Sequence, residues 1–233
     1  MSLNTAIKLS DQYKGRSIPE VLATLSQDYK NIVFSTSFGQ EDQVITDIIF
    51  KNNFAVEVFT LDTGRLFNET YQTFDRTIKR YKKEIETYFP DQEKTQDLLT
   101  KKGPFSFYDS VENRKECCFI RKVNPLQRAL EGKEIWITGL RSGQSAEREN
   151  LPLFQWDENY HLIKYNPLTY WSLEQVIEYL HENTVPSNPL HAKGFVSIGC
   201  EPCTRAIQPG EDIRDGRWWW EDSKKECGLH ETK

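Results

Sequence analysis

Short runs of β-branched and aromatic residues alternate along this chain with segments whose apolar residues recur every three to four positions. That alternation admits few folds. Asn31-Ile-Val-Phe-Ser35 reads as a short buried strand, and Glu41 to Phe50, with Val44, Ile45, Ile48 and Ile49, as a helix. Val56 to Leu61 returns to strand character, which makes a parallel βαβ unit. The pattern repeats with helices expected over Leu66–Tyr81, Asp91–Thr100 and Cys118–Leu130, and strands over Ile85–Phe89 and Glu134–Leu140. Capping boxes at Ser17-Ile-Pro-Glu20 and Ser172-Leu-Glu-Gln175 open two further helices, the second ending before Pro186. The expectation is an α/β fold, a mostly parallel sheet flanked by helices. From His191 onward glycine, proline and charge replace periodicity. Residues 1–209 are therefore expected to form one domain and Gly210–Lys233 a flexible tail. The triplet Trp218–Trp220 is out of place in a tail unless it docks on an apolar surface.

A net charge of -5 removes the basic face that a nucleic-acid binder requires. No segment approaches the roughly 18 unbroken apolar residues of a membrane span, and no signal peptide opens the chain. A soluble, cytoplasmic protein is expected. In that reducing compartment five cysteines, an odd number, point to metal binding or catalysis before disulfides.

Parallel sheets bind ligands at the carboxyl ends of their strands, where loops and helix N-termini offer backbone donors to anions. Ser35-Thr-Ser-Phe-Gly39 leaves the first strand with small hydroxylated residues and a glycine, which makes Ser35, Ser37 and Gly39 candidate substrate contacts. Leu61-Asp-Thr-Gly64 leaves the second strand, and Leu61 and Thr63 are candidates there, with Asp62 or Thr63 suited to a ribose or base edge. Gly139-Leu-Arg-Ser-Gly143 follows a third strand and brings Gly139 and Arg141 to the same edge, with Arg148 nearby. Arginine suits bidentate contacts to phosphate or sulfate.

Cys117-Cys118, expected to open a helix, and Cys200-Glu-Pro-Cys203 are two separated thiol pairs and make a four-thiolate metal site. Adjacent cysteines are unusual for zinc, which favours an iron-sulfur cluster; zinc, which also accepts four thiolates, stays the competing occupant. Arg121 and Lys122 lie one turn on and offset the charge of a thiolate-bound cluster. Cys227, in Glu226-Cys-Gly-Leu-His230, is left over as a candidate nucleophile. Lys224 and Lys225 lower its pKa, Glu226 opposes them, and His230 is at hand as a proton donor or substrate contact.

Together these motifs resemble the sulfonucleotide reductases of assimilatory sulfate reduction, most closely the cluster-containing adenylyl-sulfate reductases. The resemblance rests on Ser35–Asp42, Leu61–Gly64, Cys117–Leu126, Trp136–Arg141, Cys200–Cys203, Arg214–Trp220 and Glu226–His230, nearly the whole chain. It implies a fold of the adenine-nucleotide α-hydrolase type, related to ATP pyrophosphatases but without their double glycine. The implied chemistry is attack by Cys227 on the sulfur of adenosine 5'-phosphosulfate (APS), loss of AMP, and release of sulfite from S-sulfocysteine by thioredoxin or a similar thiol donor. A 4Fe-4S cluster on Cys117, Cys118, Cys200 and Cys203 is implied, with Arg141, Arg148, Arg214 and Arg217 on the phosphate or sulfate and Lys122 between cluster and substrate. Self-association as a homo-oligomer belongs to the same expectation. The alternatives are a reductase of 3'-phosphoadenylyl sulfate (PAPS) or of both nucleotides, and a non-catalytic nucleotide-binding protein with a structural zinc site.

Overall fold

The computed structural model describes residues 1–144 and 148–221. Its strands are β1 (Ile32–Ser35), β2 (Glu57–Leu61), β3 (Glu86–Tyr88), β4 (Ile135–Ile137), β5 (Phe154–Asp157) and β6 (Leu162–Tyr165). They form one sheet in the order β3-β2-β1-β4-β6-β5. β1 pairs in parallel with β2 and β4, and β4 with β6, while β5 closes the edge antiparallel to β6. Helices on both faces explain why β1 and β4 are continuous apolar runs: Val33, Phe34, Ile135, Trp136 and Ile137 are all buried.

The chain divides into two compact units. The first comprises Met1–Thr60, Glu69–Glu86 and Leu130–Asn188; the second comprises Leu61–Asn68, Thr87–Ala129 and Pro189–Lys233. The first unit carries α1 (Leu3–Tyr13), α2 (Ile18–Asp28), α3 (Gln40–Lys51), most of α4 (Asn68–Tyr81) and, further along, α8 (Leu173–Glu182). The expected capping boxes are formed: Glu20 accepts from the Ser17 amide at 2.9 Å and Gln175 from the Ser172 amide at 2.8 Å. α3 is buried well beyond its apolar stripe, from Asp42 through Phe50. Its polar side chains find partners within the unit, although Gln43 Oε1 has none among the described residues. Gln43 donates to Thr77 and to the Pro186 carbonyl, and Asp47 accepts from the hydroxyls of Tyr81 and Tyr179 at 2.5 and 2.7 Å.

Three elements are absent from the sequence reading. α1 buries Ala6, Leu9 and Tyr13, and its Ser10 hydroxyl exchanges hydrogen bonds with the backbone of Phe154 in β5. The β5–β6 hairpin turns on Asp157, whose Oδ1 accepts from the amides of Asn159 and Tyr160.

In the second unit the expected helix over Cys118–Leu130 is corrected. α6 (Val111–Cys118) starts earlier because Ser110 caps it, accepting from the Asn113 amide at 3.1 Å. Cys117-Cys118 therefore closes a helix instead of opening one. The chain then widens into a π turn over Phe119–Val123 before α7 (Asn124–Leu130). α5 (Gln92–Lys102) completes this unit's helices. Packing continues past Gly210 as far as Glu221, with Trp218 only 1% exposed. Among the described residues no helix is long and apolar enough to cross a membrane.

Candidate active site

The first unit presents the loops that follow β1 and β4. Phe38 turns the β1 loop with a φ of 60°, an uncommon conformation for a side-chain-bearing residue. Its ring is held fully buried against Phe74, with centroids 4.8 Å apart, and its amide donates to Thr36 Oγ1. Ser35 Oγ accepts from the Trp136 indole at 2.8 Å. Ser37 is turned inward: its amide and hydroxyl both donate to Asp42 Oδ2, at 2.6 and 2.7 Å. Gly39 is the N-cap of α3.

Asp42 is buried, and desolvation pushes its carboxyl up to about 6 against the opposing effect of the Ser37 hydrogen bonds. On its other side lies Gly139, where a Cβ would collide with Asp42 Oδ1. Asp42 therefore sits between the two loops, bonded to Ser37 of the β1 loop and packed against Gly139 of the β4 loop. Arg141 is buried and pairs with Glu41 at 3.3 Å, while Gln144 accepts from the Arg141 amide and from Arg148.

Burial of Asp42 has a testable consequence for stability. Because its folded pKa lies above the unfolded 3.8, protonation favours the folded state; the contribution is gained as pH falls through about 6 and is complete below 3.8. That interval corresponds to about 3 kcal/mol. Asp42→Asn keeps an oxygen for Ser37 and removes the buried charge. It is expected to melt higher than wild type at pH 7, with the gap narrowing at pH 5, as thermal denaturation at the two pH values would show.

The second unit gathers the four cysteines and the loop after β2. In that loop Asp62 accepts from the Gly64 amide, Gly64 takes a φ of 70°, and Thr63 Oγ1 accepts from the Arg65 amide. Arg121, on the π turn, donates to the Thr63 carbonyl at 2.7 Å, and the Cys200 thiol donates to Thr63 Oγ1 at 3.3 Å. The Glu201 amide donates to the Arg65 carbonyl. Leu61–Gly64 and the Cys200–Cys203 loop are thus tied together. Neither connection is legible from spacing.

Cys117 and Cys203 pack in one apolar cluster with Leu98, Phe107, Ile120 and Trp218; Cys118, Cys200 and Trp220 lie against it. None of the four forms a disulfide with another described residue. Burial raises the pKa of Cys117, opposed by Arg65 and Arg121, and pushes Cys203 up to about 12, opposed by Lys122 and Arg217. The cysteines therefore lie within reach of four cationic side chains. Four buried donors around them, Arg121 Nε, Arg217 Nε and the indole nitrogens of Trp218 and Trp220, have no hydrogen-bond partner among the described residues. Such a surround suits an acceptor-rich, negatively charged group. Among the described residues, no three His, Cys, Asp or Glu side chains are grouped so as to hold a single metal ion.

Arg214, in an exposed turn, donates its amide to Asp212, and Arg217 reaches toward Ser197 at 3.5 Å with its guanidinium 4.7 Å from the Trp218 ring. Cys227 and His230 lie outside the described residues. Arg65 and Asp42 are further residues of these sites. Arg65 carries no sequence signal beyond following a glycine turn, whereas a carboxylate in the first turn of the helix after a small-residue loop is the signal by which Asp42 could have been found.

Comparison with known proteins agrees with this construction. Residues 31–206 match the phosphoadenosine phosphosulfate reductase domain. The adenosine 5'-phosphosulfate reductase of Agrobacterium fabrum is 52% identical over 85% of this chain and 76% of its own length; that of Sinorhizobium fredii strain NGR234 is 48% identical over 95% and 89%. A crystal structure of the PAPS reductase of Candida auris, in complex with phosphate, superposes with a TM-score of 0.76 at 30% identity, covering 89% of this chain and 98% of that one. Yeast FAD synthetase shares the fold alone, with a TM-score of 0.53 at 19% identity. With the parallel sheet, the loops after β1, β2 and β4 and the paired cysteines in place, the chain belongs to the phosphoadenosine phosphosulfate reductase domain family.

Proposed function

We infer that the protein reduces adenosine 5'-phosphosulfate to sulfite and AMP, an oxidoreductase step of sulfate assimilation. The observation that carries this reading is the gathering of Cys117, Cys118, Cys200 and Cys203 in one apolar cluster beneath cationic side chains. Relatives at 45 to 52% identity over most of the chain bear the APS reductase name, whereas the solved PAPS reductase is 30% identical.

The four thiols, the cationic surround and the unpartnered N–H groups fit a 4Fe-4S cluster bound by these cysteines. Zinc fits less well, since its sites space their cysteines apart and Cys117 and Cys118 are adjacent. When bound, the cluster supplies local electrostatic field and structural cross-linking; the thiol chemistry already supplies both electrons. The chain's own residues do the rest. Gly39, Gly139, Leu61 and Thr63 are suited to the nucleotide, Arg141, Arg148, Arg214 and Arg217 to the phosphosulfate, and Lys122 to its developing charge.

Cys227 attacks as a thiolate at the sulfate sulfur. The new S–S bond forms as the S–O bond to AMP breaks, and the phosphate of AMP leaves with the electron pair. His230 assists that charge. Cys227 has no spare cysteine to resolve the adduct if the other four are ligands, so a dithiol protein of the thioredoxin kind attacks the Cys227 sulfur and releases sulfite. Its second thiol then cleaves the mixed disulfide, regenerating Cys227 and carrying off the oxidation as a disulfide. Such thiol chemistry suits a reducing, cytoplasmic compartment.

Steady-state rates with each nucleotide test the substrate. The expected kcat/KM for APS exceeds that for PAPS by at least about tenfold, within what one charged-group contact discriminates. Equal values or a preference for PAPS would contradict the assignment.

A further inference from the structure

The segment 205–221, which ends six residues before Cys227 in the sequence, is held in the second unit by three sets of contacts. The backbone is laid on the second cysteine pair: the Arg205 amide donates to the Gly216 carbonyl at 2.9 Å, the Trp218 amide to the Cys203 carbonyl at 3.2 Å, and Thr204 bridges to Arg217. Trp218 is 1% exposed, with the guanidinium groups of Arg114 and Arg217 at 4.6 and 4.7 Å from its ring. Arg114 then grips Glu221 with a fork: Nε and a terminal nitrogen donate to the two carboxylate oxygens at 3.0 and 2.9 Å, with both side chains 4% exposed.

Arg114 lies one turn before Cys117 on α6. The same helix therefore supplies a thiol of the cysteine cluster and the clamp on Glu221. A buried ion pair carries a desolvation cost that apolar residues of the same size would avoid, so packing alone does not call for one. What a bidentate arginine-carboxylate pair adds is a single fixed geometry.

We propose that Arg114, Trp218 and Glu221 are positioning residues that fix the root of the Cys227 segment in register with the Cys200–Cys203 loop, and so set where the nucleophile is delivered. The proposal rests on the reading of Cys227 as nucleophile. From Glu221 to Cys227 the chain has six residues, a reach of about 20 Å at most. Without the Arg114 clamp the next fixed side chain is Trp220, one residue earlier, whose ring packs against Phe107 and Tyr108, so what the clamp adds is the direction in which the chain leaves Glu221 more than its reach. A root no longer held in a single direction lowers the effective concentration of the thiol at the sulfur it must attack.

The test uses the full-length, iron-loaded protein mixed with APS in the absence of reductant, with S-sulfocysteine read by intact mass over time. Glu221→Gln is expected to slow adduct formation about tenfold while iron per chain and equilibrium affinity for AMP stay at wild-type values. A purely structural role would lower iron content or AMP affinity along with the rate. Arg114→Lys, which keeps the charge and loses the fork, is read the same way should Glu221→Gln yield no iron-loaded protein. A wild-type rate in an iron-loaded variant overturns the proposal, as does a rate loss matched by iron loss in both. Cys227→Ser separates the two readings. An adduct retained there overturns the nucleophile and the positioning together, whereas no adduct there alongside a wild-type rate in Glu221→Gln overturns the positioning alone.

Discussion

Replacing Cys203 by alanine is expected to leave little iron on the protein and to reduce turnover by at least about 100-fold. Cys203 is buried, and without a bound metal its thiol stays protonated, pushed up to about 12 chiefly by burial and further by Cys200. Ligation takes the thiolate form and displaces that proton, so loading is expected to improve as pH rises. Alanine removes the sulfur but not the backbone. The Trp218 amide still meets the residue-203 carbonyl, and the apolar cluster of Leu98, Phe107 and Ile120 still receives a small apolar side chain. The loss therefore reports ligation more than collapse. Iron assay and visible absorbance measure it, with circular dichroism as the check on folding. An alanine variant with wild-type iron and turnover would contradict a four-cysteine ligand set.

Much of this was written in the sequence, because the signals were local. β1, α3, β2 and β4 are runs whose periodicity their own residues declare, and the capping boxes at Ser17 and Ser172 are four-residue features. What stayed illegible depends on partners far along the chain. α1 buries only Ala6, Leu9 and Tyr13, and its helical face makes sense once β5 supplies Phe154 to cover it. β6 carries Lys164, which reads as an exposed position. The structure buries it beside Asp157 at 2.5 Å and places its ammonium 4.9 Å from the Trp136 ring.

The same divide runs through the site. That Ser35–Gly39 and Gly139–Arg141 lead from strand ends was legible, since both follow apolar runs. That Asp42 sits where a Gly139 side chain would have to be was not, because it joins positions nearly a hundred residues apart. The cysteine pairs announced themselves by number and spacing. So did Arg121 and Lys122 one turn on, whereas the rest of the cationic and aromatic surround, from Arg65, Arg217 and Trp218, did not. Cys117-Cys118 was misplaced on its helix because the Ser110 cap lies in a polar stretch with almost no apolar stripe to mark it.

Cys227→Ser is expected to lower turnover by about 10,000-fold or more while leaving iron content and AMP binding unchanged. The hydroxyl of serine is a poor nucleophile at neutral pH, and the oxygen adduct it would form cannot be resolved by a thiol. The other four thiols cannot stand in for it if they are cluster ligands. This variant also gives the most direct reading of the central claim, that one cysteine carries the sulfonate between APS and an outside thiol. Protein mixed with sulfur-labelled APS in the absence of reductant, then digested and mapped, should carry one label per chain on the peptide containing Cys227 in the wild type and none in Cys227→Ser. Label kept by Cys227→Ser, or found on a peptide containing Cys117, Cys118, Cys200 or Cys203, would contradict it.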